Sequence, residues 1–303
     1  MLGVWRLQLL REVGRRGTIR AAAAALSITP SAVSQQLKIL EAEAGVPLLE
    51  PHGRMVRLTD AGEMLVRHAD TITAAIDAAE SELAATRDEI TGTLRIAAFP
   101  TAARAILPGV IAELGSAHPR LRLTLRDLET AESLEALRLD EVDLAVIDVY
   151  DEATQVVEPG IELAELMAEP LWIALPAGHP AGPGPVSLAS LADDPWIMDT
   201  EASNIGGAVV RACARIGFAP NVRSNCRDYS VIIALVEAGL GVAVLPGLAL
   251  RDRGIRARVA PLEPAMTRRV LIAVKSGRRG HPAVAALLAA LIRRGDGLPP
   301  EAA

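Results

Sequence analysis

Thr18–Gly45, TIRAAAAALSITPSAVSQQLKILEAEAG, decides how this chain is read. It predicts two helices joined by a very tight turn. Thr18 is placed to cap the first helix, which runs through the alanine block to Leu26. Ser27-Ile28 is the turn. Thr29 caps the second helix, and Pro30 falls at its first position, where a missing N–H costs nothing. That helix continues to about Ala44, and Gly45 stops it. Val33, Leu37 and Leu40 form its buried stripe, which leaves Thr29, Ser31, Ser34, Gln35 and Lys38 on the other side. A major groove accepts a helix with small polar groups on one face. Gln35 has the geometry to pair with adenine, Lys38 to reach guanine or phosphate, and the short Ser34 to touch phosphate. The competing reading is a merely solvated polar face, and the helix-turn-helix context disfavours it.

Working outward, residues 5–16 predict a preceding helix ended by Gly17. Val46–Leu58 holds Pro47, Pro51, Gly53 and Arg54 between apolar ends, the pattern of a small hairpin or wing. Its basic tip, with Arg54, suits a phosphate or minor-groove contact. Thr59–Ile90 reads as one helix, with Leu65, Ala69, Ile72, Ile76, Ala79, Leu83, Thr86 and Ile90 at alternating four- and three-residue steps. Its 32 residues would span roughly 48 Å, which fits a dimerisation rod better than an ordinary helix docked on the body.

Charge follows this division. The 303-residue chain has a formal net charge of −6. Residues 1–58 carry eight basic and four acidic side chains, and the remainder 23 basic and 33 acidic. A basic head on an acidic body predicts that one end meets phosphate and the other does not. Half of the chain is hydrophobic and only seven residues are aromatic, so the core must be mainly Ala, Val, Leu and Ile. Single-strand stacking platforms are lacking before Phe99, apart from Trp5, which disfavours a single-stranded RNA binder.

From Gly92 onward, strands alternate with helices: TLRIAAF, LRLTLRD, VDLAVIDV, EPLWIALP, PWIMD, NVRSNC, LGVAVLP and RRVLIAVKS. Helices are expected near 103–117, 130–139, 205–217, 228–238 and 281–293. This predicts doubly wound α/β structure with mainly parallel sheets, in two lobes with a cleft between them. Cys213 and Cys226 form no disulfide or zinc framework; two reduced thiols are expected, with a redox pair as the alternative. No metal-ligand spacing, cofactor motif or Ser-His-Asp set is visible, and Gly239–Gly241 follows a helix, as a turn does. No apolar run with a cleavage site opens the chain, and Glu237 and Pro246 interrupt its most apolar stretch. Neither a secretory signal nor a membrane span is expected.

Together these features resemble the LysR-type transcriptional regulators over essentially the whole chain. Ala22-Ala23, Leu26, Ser34, Leu40-Glu41, Gly45, Leu48, Arg54, Leu58-Thr59 and Ala61-Gly62 match the family's head pattern in order. GTLRIA, Asp143-Leu144-Ala145 and VEAGLGVAVLP resemble its effector-binding domain. Arg20, Pro30, Leu49 and Pro51 depart from the pattern. The resemblance implies an α/β fold: a winged helix-turn-helix over 1–58, a linker helix over 59–91, and a two-lobed domain similar to periplasmic binding proteins over 92–303. Lobe I would take about 92–165 and 268–303, and lobe II about 166–267. It implies a bacterial, cytoplasmic, non-enzymatic regulator without cofactor, acting on a double-stranded operator as a dimer or tetramer. A small effector would alter lobe closure, the arrangement of dimers and so DNA bending. By position it implies effector contacts at Thr101, Thr130, Asp148, Ser203, Asn204 and Arg227. Asp148, with Asp127 and Asp199 near other strand ends, points to an amine, and Arg227 to a carboxylate, hence an amino-acid-like ligand. The alternatives are a two-lobed receptor without a direct DNA role and an α/β enzyme with a helical extension. The first should lack the basic head, and the second should show a catalytic constellation.

Overall fold

The structure is a computed structural model that describes residues 2–53, 55–87, 89–150, 160–200, 203–251 and 254–296. The head comprises α1 (Val4–Arg16), α2 (Ile19–Ala25), α3 (Pro30–Ala44), the hairpin β1 (Leu49–His52) and β2 (Met55–Leu58), and the first turns of α4 (Asp60–Ala85). Local chemistry sets these boundaries as the sequence predicts. Thr18 Oγ1 accepts from the Ala21 N–H at 3.1 Å, and Thr29 Oγ1 from Ala32 at 3.2 Å. Ser27 takes a left-handed φ of 54° in the tight turn, and Gly45 ends α3 at φ 71°. Ala22 and Ala23 are buried because only small side chains let α2 sit close to α1 and α3. Leu7, Leu10, Val13, Val33, Leu37 and Leu40 complete one core.

Two contacts join the wing to α4. Thr59 Oγ1 accepts from the Gly62 N–H at 3.1 Å and donates to Pro47 O at 2.8 Å. A Cβ on Gly62 would lie 2.2 Å from Leu48 O, so glycine is required by close approach. α4 has 26 residues, about 39 Å of helix. The expected helix to Ile90 is therefore too long. Thr86 caps the end, and Ile90 instead packs on the core of the body. Of the predicted seam, Ala69 is buried in the head while Ile72, Ile76 and Leu83 are exposed.

The body contains β3 (Gly92–Ala98), α5 (Pro100–Ala105), α6 (Leu107–Ala117), β4 (Leu121–Asp127), α7 (Thr130–Arg138), β5 (Leu144–Val149) and β6 (Ile161–Leu175). There follow β7 (Val186–Ser187), β8 (Pro195–Met198), α8 (Asn204–Arg215), β9 (Asn221–Asn225), α9 (Tyr229–Glu237), β10 (Ala243–Pro246) and α10 (Gly247–Leu250). β11 (Arg258–Glu263), β12 (Thr267–Lys275) and α11 (Pro282–Asp296) complete it. The helix expected over 103–117 is two helices. It breaks at Ile106, because Pro108 has no N–H to continue the ladder.

The large sheet has the order β4-β3-β5-β12-β6-β11-β7, with β10 also on β6. Only β3–β4, β3–β5 and β11–β7 are parallel within it; β12 runs antiparallel to β5 and β6, and β6 to β10 and β11. This corrects the expectation of mainly parallel sheets. The chain crosses from one lobe to the other on β6 and returns beside it on β12, so the shared strands must oppose one another. β6 is 15 residues long for that reason. Its first part pairs with β12, and Leu171–Leu175 pair with β10 and β11. In lobe I the sheet packs on α5, α6 and α11 through Ile96, Val146 and Ile272, and on α7 through Ala145 and Ile147. Lobe II packs around Trp196, with α8 on one side and α9 on the other. Among the described residues, no helix is long and apolar enough to cross a membrane.

Candidate DNA-reading helix and inter-lobe cleft

The outer face of α3 is built from one helical period. Ser31, Gln35 and Lys38 are exposed and Ser34 is half-buried, while Val33, Leu37 and Leu40 lie beneath them in the core. Thr29 does two tasks: its hydroxyl caps Ala32 and lies 3.1 Å from Ser31 Oγ. Ser34 Oγ donates to Pro30 O at 2.9 Å, so this hydroxyl is turned onto its own helix. Glu41 fixes the far end. Its Oε1 accepts from the Leu48 and Leu49 N–H groups at 2.9 and 3.2 Å, tying α3 to the start of the wing. Across the hairpin, Glu50 sits opposite Arg57 and pairs with its guanidinium, which partly neutralises the wing. Arg54, the predicted wing contact, lies outside the described residues.

The second polar concentration lies between the lobes. Asp148, on β5, is 6% exposed and surrounded by donors. Thr130 Oγ1 donates to its Oδ1 at 2.6 Å, Tyr150 OH to its Oδ2 at 2.9 Å, and Asn204 Nδ2 to its Oδ1 at 2.9 Å. Asn204 belongs to α8, so this last bond closes one lobe on the other. Ser203 caps α8, its Oγ accepting from the Gly206 N–H at 3.0 Å. Thr101 is buried, and its hydroxyl accepts from Arg268 Nη1 at 3.1 Å. The structure thus brings Thr101, Thr130, Asp148, Ser203, Asn204 and Arg227 around one cleft. Thr101 and Asp148, however, already have protein partners.

The group that sequence reasoning missed is Arg268. It is 1% exposed and fills the floor of the cleft. Its Nε donates to Glu169 Oε1 at 2.7 Å, its Nη1 lies 3.8 Å from Asp148 Oδ2, and its guanidinium stacks 4.8 Å above the Phe99 ring. Glu169 Oε2 in turn accepts from the Leu248 N–H at 2.6 Å. Arg268 and Glu169 are cross-strand neighbours in register. The available signal was one cation and one anion in otherwise apolar strands that are brought side by side. The inner chamber around Arg268 retains only about 10 Å³, room for about one water.

The usable space is an adjoining cavity of about 510 Å³. Asp127, Glu129 and Glu132 line it, with Arg104, Arg227 and Tyr229. Arg104 Nη2 donates to Leu248 O at 2.7 Å, anchoring α5 to α10. Burial, then the charges of Asp148, Asp199, Asp127 and Glu132, push Glu129 up to about 7. Burial also raises Asp199, against the N–H of Thr200 and the Ser203 hydroxyl that lower it. Elsewhere in lobe II, Cys213 is fully buried and its thiol is pushed up to about 11, while Cys226 is half-buried; both are free.

Residues 5–63 match the family described as bacterial regulatory helix-turn-helix protein, lysR family, and residues 87–296 match the LysR substrate binding domain. The Transcriptional dual regulator GltC of Bacillus subtilis is 30% identical over 276 residues, covering 90% of each chain. A "Probable hydrogen peroxide-inducible genes activator" of Mycobacterium avium is 30% identical over 256 residues, covering 84% of this chain and 80% of that one. In fold, a full-length OxyR variant of Pseudomonas aeruginosa is similar with a TM-score of 0.62 at 23% identity, over 96% of this chain and 95% of that one. The chain belongs to the LysR family of DNA-binding transcriptional regulators, with a helix-turn-helix head and an effector-binding domain.

Proposed function

We propose that this regulator reads its operator with Ser31, Gln35 and Lys38 of α3, assisted by Thr29 and Arg54, while Ser34, turned onto Pro30 O, adds little. Residues 1–58 then form the reading head, 59–91 the pairing helix α4 with the short link that follows it, and 92–303 the two-lobed sensor, working in a bacterial cytoplasm. The observation that carries the reading is the two-sided build of α3, with an exposed polar period above a fully buried apolar one. Exposed Ile72, Ile76 and Leu83 on α4 supply an apolar seam for a second copy, so that two heads meet successive half-sites. A gel-shift series on duplex DNA flanking the protein's own gene tests the assignment. Gln35→Ala should weaken the preferred sequence selectively, and Arg54→Ala should weaken all sequences alike; no loss for either removes the assignment.

The effector reading is a small amine-bearing, amino-acid-like molecule in the 510 Å³ cavity. Asp148 is engaged by Thr130, Tyr150 and Asn204, so the amine falls instead to Glu129 and Asp127, with Arg227 for a carboxylate. Carboxylates outnumber cations on the lining, which favours a ligand that brings positive charge. Calorimetry against zwitterionic amino acids and simple dicarboxylates tests this. Tight binding of a dicarboxylate with none of any amine overturns it. Peroxide sensing through Cys213 is disfavoured, because its buried thiol is held protonated.

A further inference from the structure

Helix α7 touches both sites. Its N-terminal end stands in the cleft: Glu129 precedes it on the cavity lining, and Thr130 Oγ1 donates to Asp148 Oδ1 while accepting from the Asp148 N–H at 3.0 Å. Its C-terminal half stands against the head. Arg15 Nη2 of α1 donates to Glu135 at 2.7 Å, Arg16 also pairs with Glu135, and Arg138 Nη1 approaches it at 3.3 Å. Arg15 and Arg16 are themselves held on Glu12 at 3.1 and 2.9 Å. Glu12 is 2% exposed; burial alone would raise its carboxyl, but the two guanidiniums hold it below the usual carboxylate range. This is a five-member ion cluster anchored on a buried carboxylate, unlike an isolated surface pair.

Helix α7 has nine residues, about 13 Å of helix. Ser133, Leu134, Ala136 and Leu137 are buried against the sheet, which holds the helix as one stiff piece. The stiff piece joins the cavity lining at Glu129 to the ion cluster at Glu135.

We infer that α7 is the link through which occupancy of the cleft reaches the DNA-reading head, with Glu135 as the contact that Arg15 and Arg16 make or lose. The inference rests on the reading that the cleft holds an effector and the head reads DNA. Coupling of this kind is reciprocal, so DNA binding must also bias the cleft. A second connection exists through α4, where Arg278 Nε pairs with Asp77 at 2.9 Å and Ser81 Oγ donates to Gly277 O at 3.0 Å. Those four residues line none of the described cavities, so Asp77→Asn serves as the control.

The test is a double-mutant cycle on the full chain, with a duplex it selects from a random pool as the probe. Glu129→Gln stands in for a cation arriving at the cavity. It should change the dissociation constant about fivefold in the parent and in Asp77→Asn. In Glu135→Gln the same change should stay within about twofold. Equal effects in all three backgrounds, or no effect of Glu129→Gln in any, overturns the inference. Amide exchange in the last turn of α1 runs the same cycle without DNA: Glu129→Gln should alter protection there only while Glu135 is intact. Failure to select any duplex sinks the DNA reading, whereas a changed α1 exchange pattern would still establish the link.

Discussion

The α3 face and the inter-lobe cleft are both polar, and they are built in opposite ways. On α3 the polar side chains come from a single ten-residue run, stand in solvent and rest on apolar neighbours. In the cleft they come from positions as far apart as Thr101 and Arg268, are buried, and bond to one another. An exposed, loosely engaged face suits a large hydrated partner whose phosphates and base edges supply the missing bonds. A satisfied internal network suits a joint that holds two lobes in one arrangement, with ligand chemistry displaced to the cavity beside it. Polarity alone does not mark a binding group; what matters is whether its bonds are already made.

The largest expected effect breaks the joint. Arg268→Ala strands Glu169 and Asp148 without their buried cation and should cost about 3–5 kcal/mol of stability, read by urea unfolding. A loss below about 1 kcal/mol would mean that the cleft is not the closed network described. Next comes the head's scaffold. Gly62→Ala forces a Cβ against Leu48 O and should cost about 1–3 kcal/mol, with weaker DNA binding as a consequence of disorder between wing and α4. Gln35→Ala should leave the melting temperature unchanged and lower discrimination between preferred and altered duplexes by about 1–3 kcal/mol. If it melts early instead, α3 is not two-sided.

Smaller effects sharpen the contrast. A glutamate in the unfolded chain loses its proton near 4.5, and Glu129 in the folded protein near 7. Ionised Glu129 therefore opposes folding by an amount that grows between those values and is complete above 7. Glu129→Gln should raise the melting temperature by a few degrees at pH 8 and leave it unchanged at pH 4; calorimetry at the two pH values checks the sign. An amine ligand should bind more tightly as the pH rises through 7, where that carboxylate becomes available. Ser34→Ala is the smallest change. Its hydroxyl is turned to Pro30 O, so DNA affinity should shift by less than about 0.5 kcal/mol, and a larger loss in gel shifts would show that it swings out to phosphate.

Legibility in the sequence follows the same line. Thr18, Thr29 and Gly45 act within a few residues of themselves, so these caps, the tight turn and the polar face of α3 are legible in the chain. The periodicity of the strands was equally local, and the two-lobed α/β body followed from it. What was not legible depended on distant register. The antiparallel crossing of β6 and β12 is fixed by pairing across lobes, and so is the meeting of Arg268 with Glu169. The end of α4 at Ala85 depends on Ile90 finding a place in the lobe I core. Asp148 is legible as an acid near a strand end, yet its engagement by Thr130, Tyr150 and Asn204 depends on segments that converge only in the fold. Glu129 is not legible in the sequence, because its raised affinity for a proton comes from burial and from Asp148, Asp199 and Asp127 on other segments, with Glu132 of its own helix adding to them.

DNA reading by α3 is tested by the equilibrium binding of full-length protein to duplex DNA flanking its own gene, compared with Lys38→Ala over a salt series. Binding should be sequence-selective and weaken with added salt, and the salt slope should be shallower by about one in the variant. Failure to bind any duplex in dilute buffer, or an unchanged slope without Lys38, would contradict it.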